Sequence, residues 1–374
     1  MKVAVVGAGI IGSCAAFELA SQQHDVSVFE RFDIDHDRGS SYGDSRIIRR
    51  FYDDAYYTAL MPLAYDLWRR LERATGVHLI DTLGGLYFGP RDHERLARAQ
   101  RGLHAIGEPA DLLDARTLRA RFPGFRFSDD EAGIIDESAG SLRASRCVRA
   151  AVDAARDAGA RFITNIKVDA IERAPEGGVA VAHSGERHLF DRAVVCAGPW
   201  TPAMLRDMHL PICVTRQQYA YIAPTRDAAM FEPGAMPIWI DAAENWYGFP
   251  HHGDIAGVKF ASHDFGPTVD PDRVDRTIDE REIERTREYA RRRFPALAEG
   301  EITYAKTCLY SVTPDEDFII DRVDGIPGCA FVGGCSGHAF KFGTLLGAVA
   351  SDVALDREPR ADISRFRLAR FSRA

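Results

Sequence analysis

The chain has 374 residues, of which 46% are hydrophobic and 27% charged; this is typical of a globular protein too long for one ordinary core, and we expect two domains. A net charge of −8 argues against nucleic acid as a general partner. No apolar run has the length of a membrane span, so we expect no membrane partner. The seven cysteines form no C-x-x-C pair, which indicates reduced thiols and no metal site.

The chain opens with a predicted strand, helix and strand. The apolar run Lys2–Val6 has strand length, the pattern over residues 13–22 is helical, and the β-rich run Asp25–Phe29 ends on Glu30. Because Met1 leads directly into the first strand, we expect no signal peptide and a cytoplasmic protein.

The turn between the first strand and the helix carries the glycine fingerprint of dinucleotide-binding proteins. Gly7 permits the tight turn, Gly9 lets the backbone approach a pyrophosphate, and Gly12 lets the helix pack closely on the strand. The pyrophosphate would meet the free N–H groups at the helix N-terminus. Glu30 can accept both hydroxyls of an adenosine ribose and would repel the 2′-phosphate of NADP. The fingerprint alone leaves FAD and NAD open.

A loop of small residues follows and runs into three arginines, Arg46, Arg49 and Arg50. Most charge runs are solvated faces, and this interpretation is favoured for Arg50. For Arg46 and Arg49 it is matched by a second one, in which an arginine points into an active site and holds an anion with both arms of its guanidinium.

Helical and strand patterns alternate from residue 53 to residue 200. The predicted helices cover residues 53–76, 91–106, 114–122 and 146–158, the last of them capped by Ser145. The predicted strands cover residues 84–89, 133–136, 161–164, 167–171 and 178–183. A further apolar strand begins at residue 190 and ends in Gly198-Pro-Trp200, where the carboxyl end of a parallel strand would abut a cofactor.

The middle of the chain, residues 210–266, is rich in strands and aromatic residues and lacks crossover helices, which predicts an antiparallel sheet in a separate substrate domain. We interpret the charges of the predicted helix over 279–293 as a solvated face only. The chain then returns with strands and a helix over 342–354. Domains built from alternating segments fit this order better than two consecutive blocks.

Lys259 is the strongest physical oddity in the sequence. It lies in the apolar run Gly257-Val-Lys-Phe-Ala261, where a lysine is costly unless it is paired or functional. This position favours a role for Lys259 in a site.

Five motifs occur in the order known from one family, and together the chain resembles the monomeric sarcosine oxidase and N-methyltryptophan oxidase family from end to end. The block from Cys308 to Asp321 and the Gly-His-x-Phe-Lys block are the specific ones. The motifs are Gly7–Gly12, Ser40-Ser-Tyr-Gly-Asp-Ser-Arg46-Ile-Ile-Arg49, Gly257-Val-Lys259 with His263, Cys308-Leu-Tyr310 through Asp321, and Gly337-His-Ala-Phe-Lys341.

The resemblance implies FAD and an α/β (α+β) fold of the D-amino-acid-oxidase type. This fold combines an FAD-binding Rossmann-like domain of the glutathione-reductase type with a substrate domain built on an antiparallel sheet. With segments interleaved, we expect the FAD-binding domain to cover residues 1–80, 140–210 and 320–374, and the substrate domain to cover 81–139 and 211–319.

The implied reaction oxidises the C–N bond of a secondary or N-methyl amino acid, with O2 as acceptor, and gives H2O2 and an imine that hydrolyses. The implied partners are therefore a small amino acid and O2, and the implied state is a monomer. One alternative is an FAD dehydrogenase of the same fold with another acceptor, against which Lys259 argues. The other is a non-catalytic flavin-binding protein, against which the set of Arg49, Lys259, Cys308 and Lys341 argues.

The resemblance also implies the roles of individual residues. Arg49 and Lys341 would hold the substrate carboxylate, and Lys259 would promote O2 reduction through a water beside the flavin N5 edge. The substrate pocket would be lined by His263, Tyr247 and Tyr310. Cys308 would bind the flavin covalently through its 8α-methyl carbon. The cofactor would further contact Gly7, Gly9, Gly12, Glu30, Arg31, Ser40, Ser41, Arg46, Val168, Ala197, Gly198, Trp200, Gly334, Gly337, His338 and Lys341.

The sequence departs from the family at three places. Tyr42 replaces a histidine, the segment 250–257 is one residue longer, and Gly334-Cys335 stands where Gly-Phe is common. These positions lie close to the flavin and the pocket, so they affect the substrate more than the reaction. Sarcosine, a larger N-methyl amino acid, a cyclic imino acid and a biosynthetic intermediate all stay open.

Overall fold

The structure, a computed structural model, describes residues 1–373, in which helices and strands alternate through most of the chain. The helices are α1 (Ile10–Ser21), α2 (Ala55–Thr75), α3 (Glu94–Ala105), α4 (Ala115–Arg121), α5 (Ala144–Asp157), α6 (Thr201–Met204), α7 (Glu280–Arg293) and α8 (Gly343–Ala354). The strands are β1 (Lys2–Val6), β2 (Asp25–Phe29), β3 (Arg46–Ile48), β4 (Ile80–Thr82), β5 (Gly85–Pro90), β6 (Leu113–Asp114), β7 (Glu131–Asp136), β8 (Gly140–Leu142), β9 (Arg161–Ile163), β10 (Ala170–Arg173), β11 (Val179–His183), β12 (Glu186–Phe190), β13 (Arg192–Val195), β14 (Cys213–Ile222), β15 (Ile238–Asp241), β16 (Trp246–Phe249), β17 (Val258–Ser262), β18 (Ile302–Val312), β19 (Ile319–Arg322) and β20 (Cys329–Gly333).

A six-stranded sheet of order β19-β20-β13-β1-β2-β9 carries the opening of the chain. Its strands are parallel apart from β19, which runs antiparallel to β20. The apolar residues of β1 are buried, as expected for a strand with sheet neighbours on both sides. Helix α1 packs against α5 and α8 over this sheet. The turn between β1 and α1 lies at the carboxyl edge of the sheet, because it directly follows the last residue of β1.

The second large sheet has the order β18-β14-β17-β16-β15-β5-β7-β6. Its neighbouring strands are antiparallel, as predicted, except for β15 and β5, which are parallel. A cluster of buried aromatic rings that includes Trp239, Phe260 and Phe294 fills the space behind the sheet. Two three-stranded sheets, β10-β11-β12 and β3-β8-β4, complete the pairing.

The two large sheets take their strands from alternating parts of the chain. The six-stranded sheet uses residues 2–29, 161–195 and 319–333, and the eight-stranded sheet uses 85–136 and 213–312. The boundaries of 1–80, 140–210 and 320–374 against 81–139 and 211–319 stay a prediction about domains. No helix within residues 1–373 combines the length and the apolar character needed to cross a membrane.

Several local predictions are wrong for identifiable reasons. Ser145 lies inside the first turn of α5 and does not cap it, because its backbone and side chain are bonded to Gly43 instead. The strand predicted over 167–171 begins only at Ala170. Helix α7 has more than a solvated face, since the Arg293 side chain is 11% exposed and pairs with Glu131 at 2.7 Å and Asp241 at 3.0 Å.

Candidate active site

One cavity of about 820 Å³ connects the two large sheets. It begins at the turn after β1 and the first turn of α1, passes the loop that contains Ser40 and Arg46, and ends against β16, β17 and β18. All but two of the predicted site residues line this cavity. The exceptions are Gly12 and Gly334, which the structure places behind the wall in close packing contacts.

The glycine turn explains the shape of one end of the cavity. Gly7 has φ +99°, and a side chain there would lie 2.4 Å from the Cys196 carbonyl oxygen. A side chain at Gly12 would lie 1.9 Å from the Gly7 carbonyl oxygen, which accounts for its role in packing the helix on the turn. Gly9 faces Ser41, whose Oγ accepts the Ile10 N–H at 3.1 Å.

Glu30 is fixed by the backbone of the same turn. Its carboxylate accepts the Ala8 N–H at 2.7 Å and the Phe32 N–H at 2.9 Å, and the residue is 5% exposed. These bonds give Glu30 a structural role beside the predicted contact with an adenosine ribose, which stays a prediction.

Arg31 and Trp200 meet on the wall next to Glu30. Both donate to Oδ1 of Asp272, Arg31 from Nη1 at 2.6 Å and Trp200 from Nε1 at 2.7 Å. The Arg31 guanidinium also lies 5.5 Å from the Trp200 ring. Sequence reasoning missed Asp272 because it follows both partners by at least 72 residues.

This end of the cavity fits a dinucleotide cofactor. Its wall combines the first turn of α1, whose leading N–H groups lack helical acceptors, with small residues that let a ligand approach the backbone. The small and apolar predicted contacts that line it are Gly7, Gly9, Ser40, Ser41, Val168, Ala197, Gly198 and Gly337. Within residues 1–373, no three His, Cys, Asp or Glu side chains are placed to hold a metal ion together.

Four cations in the cavity wall are at least half-buried and have no carboxylate within 4 Å among residues 1–373. They are Arg46, Arg49, Lys259 and Lys341. The other half-buried arginines of the wall do have such partners, namely Arg31 with Asp272, Arg95 with Asp53, and Arg365 with Asp54 and Asp317. A buried cation without a counter-ion is costly, so these four residues define where the cavity favours an anion.

Lys259 lies on β17 and is 4% exposed. Its Nζ donates to the carbonyl oxygen and the hydroxyl of Ser45, each at 3.1 Å, and lies 4.5 Å from the centre of the Tyr219 ring. Burial, followed by the nearby charge of Arg46, lowers the pKa of Lys259 to about 7.

Lys341 and Arg49 converge next to Tyr52. Lys341 is 5% exposed, and its Nζ donates to the Tyr52 hydroxyl at 2.9 Å and the His338 carbonyl at 2.8 Å. Arg49 lies 4.0 Å from the Tyr52 ring centre and donates to the Phe51 carbonyl. Burial, and then the charge of Arg49, lowers the pKa of Lys341 well below its usual range, and an anion bound here would raise this pKa again.

The facing wall is formed by a tyrosine pair and a histidine. The hydroxyls of Tyr247 and Tyr310 are 3.1 Å apart, and the His263 ring centre lies 6.0 Å from that of Tyr310. Burial, then the charge of Lys341, lowers the pKa of His263 to about 4, so this imidazole is neutral at neutral pH.

Cys308 lies on β18 in the same wall as a free thiol. Burial raises its pKa, while Arg46 and Lys259 act in the opposite direction. Cations that favour the thiolate are a feature of cysteines that react as nucleophiles.

Sequence reasoning missed several polar residues of this wall. Ser45 could have been found, because it directly precedes Arg46 in the loop from Ser40 to Arg49. Arg95 and Asn245 had no such signal, since Arg95 was one of many polar residues on a helix and bonds to Asn245 across 150 positions.

The chain is similar to known proteins over nearly its whole length. The family described as FAD dependent oxidoreductase matches residues 2–353. The chain is 34% identical to monomeric sarcosine oxidase of Streptomyces avermitilis, with 94% of this chain and 93% of the relative covered. It is 31% identical to human peroxisomal sarcosine oxidase (98% and 95% covered) and 30% identical to N-methyl-L-tryptophan oxidase of Escherichia coli (98% and 98%).

Solved structures confirm the predicted fold class. NikD, an amino acid oxidase of nikkomycin biosynthesis, superposes with a TM-score of 0.82 at 24% identity over 98% of this chain and 96% of that one. L-proline dehydrogenase from P. horikoshii superposes with a TM-score of 0.86 at 20% identity over 100% and 98%. The chain therefore belongs to the FAD dependent oxidoreductase family and is an FAD-dependent amine oxidoreductase of the sarcosine oxidase type.

Proposed function

We propose that the protein oxidises the C–N bond of a secondary or N-methyl amino acid and passes the two electrons to O2, giving H2O2 and an imine that hydrolyses in water. The observation that carries this proposal is the set of four cations in one cavity that have no counter-ion among residues 1–373, namely Arg46, Arg49, Lys259 and Lys341. Arg49 and Lys341 can bind the substrate carboxylate, whereas Arg46 and Lys259 lie close to Cys308.

Arg49 and Lys341 would anchor the substrate carboxylate. An arginine supplies directional hydrogen bonds and a lysine supplies a point charge, and both converge here on the surroundings of Tyr52. A fixed carboxylate holds the amine and its neighbouring carbons in one place, which contributes to the rate through proximity. The neutral His263 and the tyrosine pair would line the space around the amine.

The glycine turn, Ser41, Arg31 and Arg46 would hold FAD, with Cys308 as the residue that binds it covalently. When bound, FAD supplies the redox chemistry by taking two electrons from the substrate. The residues of this chain bind and orient the flavin and the substrate, and they tune the reactivity of the flavin. Lys259 would stabilise the negative charge that develops on O2, as a preoriented cation does in a water-poor site.

The test is a panel of amino acids assayed in air for H2O2 release, with the N-methyl amino acids beside the corresponding primary and tertiary amines. We expect one molecule of H2O2 for each secondary or N-methyl amine consumed. Turnover with an artificial dye but no H2O2 in air would replace the oxidase with a dehydrogenase. Absence of turnover with both acceptors would refute the proposed substrate class.

A further inference from the structure

The cavity ends beyond the substrate anchor in a ring of polar side chains. It is lined there by Asp53, Arg95, Asn245, His263 and Glu316. Asp53 follows Tyr52 in the chain, and the Glu316 carbonyl accepts a hydrogen bond from Nε2 of His338, which precedes Lys341 by three residues. The ring therefore adjoins the place where Arg49 and Lys341 converge, and the side chain of a bound amino acid would meet it.

Arg95 is held by protein partners in this ring through its Nε and Nη1 atoms. Its Nε donates to Asp53 at 2.6 Å, and its Nη1 donates to the Asn245 side chain at 2.8 Å and the Ala242 carbonyl at 2.8 Å. Asn245 also donates to Asp264 at 3.1 Å. Asp53 is thus the ion-pair partner of Arg95, while the charge of Arg95 also acts on Glu316 and opposes the rise of its pKa.

Glu316 is the exception among the carboxylates at this end. Its two loop neighbours are both held by arginines, Asp315 by Arg370 at 2.7 Å and Asp317 by Arg365 at 2.5 Å. Within residues 1–373, no donor lies at hydrogen-bond distance from the Glu316 carboxylate, and the nearest ionisable nitrogen is the neutral His263 Nε2 at 4.0 Å.

The backbone holds Glu316 in an unusual conformation. Its φ is +62°, in the left-handed region that residues other than glycine rarely adopt. The Glu316 N–H donates to the Thr313 carbonyl at 3.1 Å, and its own carbonyl accepts His338 Nε2 at 3.1 Å. Strained residues of this kind persist where the surrounding structure fixes them, and here the two backbone hydrogen bonds of Glu316 hold the base of its side chain at the cavity wall.

We propose that Glu316 binds a cationic group on the side chain of the substrate, so that the enzyme prefers a basic secondary or N-methyl amino acid to one with an apolar side chain. The inference rests on the proposed function, because it needs the substrate carboxylate to be held by Arg49 and Lys341. Partial burial raises the pKa of Glu316 against the opposing charge of Arg95, and a bound cation would lower this pKa further toward its usual value. Because the carboxylate is half exposed, we expect the preference to be about three- to fivefold, in the upper range for exposed ion pairs.

Binding to the FAD-loaded enzyme tests this inference without turnover. Straight-chain carboxylic acids of four to seven carbons and their ω-amino counterparts would be titrated while the flavin absorbance is recorded, so that each pair differs only in the distal ammonium. We expect the amino acid of at least one length to bind about three- to fivefold more tightly than its plain counterpart. In Glu316→Gln the ratio of the two dissociation constants, plain acid over amino acid, should fall to about one. In Glu316→Lys the matching dicarboxylic acid should become the better ligand.

Asp315→Asn is the matched control, because it removes a charge from the same loop that Arg370 already compensates. It should leave the ratio unchanged. Equal binding of both series at every length, or an unchanged ratio in Glu316→Gln, would overturn the inference and leave the carboxylate anchor intact. If neither series perturbs the flavin at any length, the anchor of the proposed function fails, and the inference fails with it.

Discussion

Lys259 donates to both oxygens that Ser45 offers, the backbone carbonyl and the hydroxyl, at 3.1 Å each. The two bonds restrict a long and otherwise mobile side chain to one position, although neither oxygen carries a charge to balance the ammonium. Lys259 is therefore held in one orientation by uncharged acceptors and not by a carboxylate. A cation in this state is suited to stabilise charge that appears only during a reaction.

Replacing Lys259 by methionine should separate the two halves of the catalytic cycle. Reoxidation of the reduced enzyme by O2 should slow about a hundredfold or more, since a preoriented group aimed at developing charge is commonly worth about 2.7–4 kcal/mol. Anaerobic reduction by the substrate should change much less. Stopped-flow measurement of each half-reaction checks this.

Lys306→Met is the control for Lys259→Met. Lys306 lies in the same sheet on β18, and its ammonium is paired with Asp37 at 2.9 Å. It should leave the reoxidation rate near that of the wild type. A reoxidation rate in Lys259→Met within a few-fold of wild type would remove Lys259 from the reaction and favour a dehydrogenase.

The reoxidation rate should also depend on pH. The Lys259 pKa of about 7 lies below the ordinary value of 10.5, so the ammonium is protonated below pH 7 and loses its proton as the pH rises through that value. The reoxidation rate constant should therefore be highest below the pKa and fall above it, and Lys259→Met should lack this dependence. His263, with a pKa of about 4, is neutral over this range, so His263→Asn should keep the shape of the profile. A profile that is flat in the wild type would contradict this account.

The carboxylate anchor predicts a selective effect on KM. Truncating either Arg49 or Lys341 should raise KM for carboxylate substrates by about tenfold to a hundredfold, because losing one partner of a charge-assisted contact costs about 1.5–3 kcal/mol. An amine that lacks the carboxylate should already be a poor substrate and lose little more. Steady-state kinetics on matched pairs of amines measures this, and equal losses on both members would disprove the anchoring role.

Covalent attachment of the flavin has a direct chemical test. If Cys308 forms the bond, acid precipitation of the purified protein should leave the yellow colour in the pellet, and in Cys308→Ser the colour should move to the supernatant. Cys335→Ser is a matched control, since Cys335 also lines the cavity and its thiol pKa is raised by burial. Colour wholly in the wild-type supernatant, or colour kept by the Cys308→Ser pellet, would show that the assignment is wrong.

The sequence was most informative where a function depends on consecutive residues. The glycine turn and the loop from Ser40 to Arg49 could be recognised because neighbours in the chain form the wall together. Lys259 stood out because its apolar strand makes a charge costly. The fold class is confirmed, whereas the domain boundaries, a monomeric state and a cytoplasmic location stay predictions.

What sequence could not supply are contacts between distant segments. Asp272 reaches Arg31 across 241 positions, and Arg95 reaches Asn245 across 150, with nothing in the local pattern to distinguish either from a solvated side chain. Arg293 shows the same limit, because its helix is strongly charged and yet this one residue is buried against two carboxylates. Such pairings depend on how the sheets are placed, which no short stretch encodes.

The interleaving of the two sheets has a consequence for synthesis on the ribosome. The first turn of α1 is made long before Cys308 and Lys341, which lie in the opposite wall of the same cavity. The central strand β1 is in place early, whereas β20 in the same sheet is made more than 300 residues later. The cavity is therefore complete only when the chain has emerged as far as Lys341, so we expect stable flavin binding to follow the synthesis of these segments and not to guide the folding of the earlier ones.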